Sequence, residues 1–135
     1  MGQPAACLAF LVLTGCVAGP RDLTPALQGT WGGQHIGLSV GTLDTDVQFD
    51  CAEGTFYGPY LVEQDGSFSW NGRFTKGAGG PASLDGSGRR PSTEATYTGV
   101  VRGPEMTMTV RLEDHTVIGP FALERFAEPQ LTRCL

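Results

Sequence analysis

His35, Asp50 and Glu53 are the residues whose types best suit chemistry. An imidazole beside carboxylates can carry a proton near neutral pH. The simpler reading is a solvated histidine with two solvated acids, forming a small polar patch beside Cys51. A nucleophilic Cys51 needs a paired histidine and an activating environment, and His35 is the only candidate on offer. A zinc site is poorly supplied, because His35 and His115 are the only histidines and lack ligand spacing. Asp44, Asp46 and Asp50 suggest calcium, but the glycine that an EF-hand loop needs after its acids is missing. Alternating acids of this kind make the wet face of a strand. Met106 and Met108, two apart, serve a core better than a soft metal. No catalytic set emerges, and the expectation is a protein without enzymatic activity and without a cofactor.

These residues must be positioned by strands. From Gln28 onward the apolar residues recur with period two, the signature of half-buried β-structure. The reading begins with a strand at Thr30-Trp31 and continues with 35–40, which puts Ile36, Leu38 and Val40 on one face. It goes on through 46–51, with Val47, Phe49 and Cys51 inward, and through 54–57 and 60–63. Asp65-Gly66 is a hairpin signal, because both residues tolerate positive φ. Beyond it Phe68, Trp70 and Phe74 share a face, and Gly72 among them marks a kink or a close backbone approach. Lys76 to Thr93 shows no strand pattern and reads as a long loop. Strands resume at 94–102, 105–112 and about 116–125. Met106, Met108, Val110 and Leu112 point inward. About eight strands joined by hairpins can close an up-and-down antiparallel barrel, which removes exposed edges. A β-sandwich is the alternative. Trp31, Phe68, Trp70, Phe74 and Tyr97 then face inward, either filling the core or lining a ligand pocket, with the long loop as a lid.

Composition agrees. Twenty glycines and nine prolines in 135 residues, with 40% hydrophobic residues, fit one small domain of short strands and tight turns. The net charge of −5 and a single lysine, Lys76, exclude nucleic acid as a partner, since phosphate binding needs clustered cations. Arg89-Arg90, the densest basic spot, reads as a solvated loop tip.

The segment from Ala5 to Ala18 is uncharged, and its apolar run from Cys7 to Cys16 is too short to span a membrane. It ends in Leu13-Thr14-Gly15-Cys16, which matches a lipobox, so residues 1–16 resemble a bacterial lipoprotein signal peptide. Met1-Gly2-Gln3-Pro4 departs from that pattern in lacking a basic residue, which leaves either a start further upstream or a weak export signal. The resemblance implies a lipid on Cys16, residues 17–26 as a tether and 27–135 as the β domain. Two or more acyl chains anchor stably where one does not. The location implied is the cell envelope, on the outer side of the cytoplasmic membrane or in the outer membrane. Ordinary secretion after a cut near Ala18 is the alternative. Myristoylation is discarded because Ala6 stands where Ser or Thr is needed. With Cys7 removed and Cys16 acylated, Cys51 and Cys134 remain, and in an oxidising compartment they are expected to form a disulfide. Free buried thiols are the other reading.

Gly29-Thr30-Trp31 resembles the G-x-W motif that opens lipocalin-type barrels, and Arg125 is placed to stack on Trp31 as an arginine does there. Further features resemble a group of bacterial exported proteins without assigned activity. They are Trp31-Gly32-Gly33 with His35-Ile36, Phe49-Asp50-Cys51-Ala52 with Gly54-Thr55, Gly79-Gly80-Pro81, Tyr97-Thr98-Gly99 and Arg133-Cys134-Leu135. This second resemblance covers most of the β domain and implies its fold, but adds nothing on function. The lipobox, the lack of a catalytic set and the barrel-like strand pattern point to a lipid-anchored envelope module that binds a small apolar ligand or an envelope protein. A protease-inhibitor barrel, an acid–base enzyme using His35 with Asp50 or Glu53, and a purely structural component are the alternatives.

Overall fold

The alternation is cleanest where a strand separates core from water, and a computed structural model shows the strands it produces. It describes Gly2, the backbone of Arg21–Asp22, and residues 27–77 and 92–132. In chain order the strands are β1 (Arg21–Asp22), β2 (Gly29–Gly33), β3 (Ile36–Val40), β4 (Thr45–Phe49), β5 (Ala52–Phe56), β6 (Leu61–Val62), β7 (Ser67–Lys76), β8 (Ser92–Arg102), β9 (Glu105–Leu112) and β10 (Val117–Arg125). Eight of them, all but β1 and β6, follow one another antiparallel around a closed barrel. The closing seam joins β10 to β2 through Leu123–Gly33, Glu124–Gly32 and Arg125–Trp31. The sandwich alternative is thereby excluded.

Large inward side chains face small ones. Phe68 stacks on Trp70 at 3.9 Å, Trp70 on Phe56 at 4.9 Å, and Phe56 leans on Tyr97 at 4.9 Å. Offset and tilted pairs of this kind add to the gain from burial. The strands that carry this column place glycine beside it, Gly54 on β5 with Phe56 and Gly99 on β8 with Tyr97. A Cβ at Gly54 would overlap the Tyr97 hydroxyl, and one at Gly99 would lie 2.8 Å from the Phe68 ring. Tyr97 is fully buried and donates its hydroxyl to the Arg73 carbonyl at 2.6 Å. Burial holds the phenol neutral, with its pKa raised well above the ordinary tyrosine value.

One end of the barrel is closed. Leu27 lies buried beneath it and accepts a hydrogen bond from the Trp31 indole at 3.1 Å. The Arg125 guanidinium lies 5.4 Å from the Trp31 ring centroid and donates to the Gln28 carbonyl at 2.9 Å. The connection from β5 to β7 folds back over the same end, burying Tyr60 and Val62. The sequence reads 60–63 as another stave. Instead β6 pairs with β1, outside the barrel. Alternation cannot separate the two, since a strap that inserts every second side chain has the period of a stave.

Thr45 is the only buried polar side chain among the described residues. Its hydroxyl donates to the Phe56 carbonyl at 2.7 Å and accepts from the Phe56 amide at 2.8 Å, continuing the β4–β5 ladder where the backbones part. Thr45→Val keeps the shape and strands both backbone groups, so about 1–3 kcal/mol of stability should be lost. Urea denaturation followed by circular dichroism measures this, and an unchanged midpoint would contradict the assignment.

Candidate functional site

The end opposite the closed one is formed by the β2–β3, β4–β5 and β9–β10 turns and by the ends of β7 and β8. Here the filled core gives way to a cavity of about 570 Å³. Phe49, Phe74 and Phe121 form its floor, with ring centroids 5.4 Å apart for Phe49–Phe74 and 5.5 Å apart for Phe49–Phe121. Ala52, Leu112 and Ile118 complete the apolar wall, and His35, Asp50, Lys76, Asp114 and Thr116 supply a polar rim. The result is an apolar cup with charged lips, the usual build of a site for a small ligand.

Why these side chains converge follows from the turns. β4 ends at Phe49, and Asp50-Cys51 make the turn, with Cys51 at φ 60°. The expectation that Cys51 lies on the inner face of a strand is therefore corrected. A left-handed residue ends the ladder and turns its side chain to the rim. His35 likewise sits in the β2–β3 turn at φ 68°, rather than opening the strand. Its Nδ1 contacts Asp50 Oδ2 directly. The other oxygen of Asp50 accepts the Thr132 amide at 2.6 Å. Asp114 receives the Thr116 amide at 3.0 Å, and its bonds to the Thr116 hydroxyl and amide draw its pKa below the ordinary carboxylate value.

The C-terminal segment reaches the rim along a prepared path. Gly32 and Gly37 are partners across β2 and β3. A Cβ at Gly32 would overlap the Ala127 carbonyl, and one at Gly37 would lie 2.8 Å from Pro129. The two bare positions form a trough for residues 127–129. Gln130 then bonds to the strand end, donating to Gly33 O at 3.0 Å and accepting from His35 N at 2.8 Å. Nothing in the alternation marks this path, and the paired glycines are its only trace in the sequence.

The structure brings His35 and Asp50 together but not Glu53. Glu53 lies exposed on β5, opposite Gln48 and Thr75, on the outer wall away from the cup. Of the five aromatics proposed for a pocket, Phe74 lines the cup. Trp31, Phe68, Trp70 and Tyr97 are buried deeper, in the filled part of the barrel. The cup takes Phe49 and Phe121 instead, since the ladder ends nearest the mouth set its floor. Asp44, Asp46 and Asp50 are spread over the closed-end turn, the outer wall and the mouth. Met106 and Met108 are buried in the core. Cys51 is disulfide-bonded. Cys16, Cys134, Arg89-Arg90 and Gly79-Gly80-Pro81 lie outside the described residues, as does most of the long loop. No family model, no curated protein and no solved structure matches this chain.

Proposed function

We propose that this chain is a non-catalytic binding module of the bacterial cell envelope, held to a membrane by lipid on Cys16, whose cup receives a small apolar group. The cup carries the reading. Three phenylalanines stand at the mouth of the barrel, next to a core of buried aromatic and aliphatic side chains, and the charged rim around them suits a ligand with a polar end. Lys76 and His35 offer donors there, while Asp114 is already engaged by Thr116. The disulfide at Cys51 supports export, since such bonds persist in oxidising compartments. Asp50 is read as a clamp that holds the histidine turn with one oxygen and the C-terminal segment with the other. That clamp favours Cys134 as the mate of Cys51, because Thr132 already meets the β4–β5 turn.

A fluorescent apolar probe tests this. N-phenyl-1-naphthylamine should brighten several-fold with the native chain and hardly at all with Ala52→Trp, which places an indole in the cup. Circular dichroism must show that variant folded. Equal brightening with both, or none with the native chain, would overturn the reading.

A further inference from the structure

We infer that the closed end of the barrel is a membrane-docking face, with a lipid bilayer as its partner and the cup held away from it. The inference rests on the lipoprotein reading above and deepens it. Among the described residues, four of the five large exposed apolar side chains, Leu43, Tyr57, Leu61 and Phe126, lie at this end. Leu43 and Phe126 keep 81% and 71% of their surface exposed.

These four belong to separate turns that the fold brings together. Asp44 bridges to Tyr57, which sets Leu43 beside it. Gly29 lies against the Phe126 ring and pairs with Val40, at the root of the turn that carries Leu43. Leu61 belongs to the strap across the end, where its neighbours Tyr60 and Val62 point into the core and it points out. Scattered apolar residues need no explanation, but several collected at one pole mark an interaction surface.

The path of the N-terminal chain identifies the partner. β1 pairs with β6, Arg21 with Val62 and Asp22 with Leu61, so the chain enters the domain at the closed end. Cys16 precedes Arg21 by five residues. Fully extended, that tether spans roughly 17 Å. A lipid on Cys16 therefore keeps this end, and no other, close to the headgroups. Leucine and phenylalanine partition into the acyl boundary and tyrosine into the interface. Asp44, Glu63, Asp65 and Glu105 stand exposed at the same end and outnumber the exposed Arg102 beside Asp65, so the face suits zwitterionic rather than anionic lipid.

The test uses the full chain, acylated in its host, purified and placed in vesicles of 6,7-dibromo-phosphatidylcholine. Leu43→Trp and Val117→Trp put reporters at opposite ends. The native Trp31 and Trp70 are buried and give a constant background. Bromolipid should quench the added emission of Leu43→Trp by at least half and leave that of Val117→Trp unchanged. Acylated protein with no quenching at residue 43, or with quenching at residue 117, overturns the docking face and leaves the anchor standing. A residue 43 shielded from aqueous acrylamide yet unquenched by bromolipid means that a second copy covers the face, which also overturns it. If intact mass shows no acyl chain on Cys16, the lipoprotein reading and the docking face fall together.

Discussion

Gly54→Ala is expected to destabilise the barrel by about 3 kcal/mol or more, at or above the upper end of what overpacking a filled core costs. The added methyl would overlap the Tyr97 hydroxyl and lie 3.0 Å from the Arg73 carbonyl oxygen. Tyr97 cannot retreat, because Phe56 leans on it at 4.9 Å and its hydroxyl is bonded across to β7. Tyr97→Phe isolates the cause. Alone it loses one buried hydrogen bond, about 1 kcal/mol. Combined with Gly54→Ala it removes the overlapped atom, so the pair should be more stable than the sum of the single effects by about 1 kcal/mol or more. The rescue stays partial, because the Tyr97 Cζ position remains 3.2 Å from the new methyl. Denaturation midpoints of the four proteins close the cycle, and additive losses would refute the steric account.

Trp31→Ala should cost about 3–5 kcal/mol, as truncating a buried indole does. Against the ~5–15 kcal/mol that holds a typical domain together, this leaves little in reserve. Three things fail at once at the closed end. The cavity under the barrel opens, the Leu27 carbonyl loses its indole donor, and Arg125 loses the ring beside its guanidinium. Trp31→Phe separates them in part, since it keeps a ring face and most of the volume while losing the indole N–H and part of the bicyclic ring. A loss of about 1–3 kcal/mol is expected there, from the hydrogen bond and a small cavity. Thermal melts of both variants provide the comparison, and equal losses would mean that the hydrogen bond, rather than packing, carries the position.

The barrel itself was legible because one face of each stave meets water. Val47 and Phe49 alternate with acids and amides, and Met106, Met108 and Val110 alternate with Thr107 and Thr109. Trp31 and Arg125, ninety-four residues apart, are expected partners from the sequence and are neighbours across the closing seam. The site was legible only in part. Sequence pattern gives the side a residue faces but not its height along the barrel, so Trp70 in the fill and Phe74 in the cup look alike. Cys51 continued the alternation of β4 in type, while its backbone had already turned. The strap at Tyr60 to Val62 imitated a stave. The path of residues 127–132 left no periodic trace, because that segment lies flat on the wall rather than alternating across it.

One consequence concerns rearrangement of the chain. Arg21 enters at the closed pole and Thr132 finishes at the mouth, so the ends of the described fold are separated by the barrel height, roughly 25 Å for tilted staves of this length. A circular permutant would need a connector of about eight residues or more to cover that gap along the outer wall. A passenger joined beyond Thr132 would ride beside the cup's lip, whereas one inserted before Arg21 would leave that lip clear.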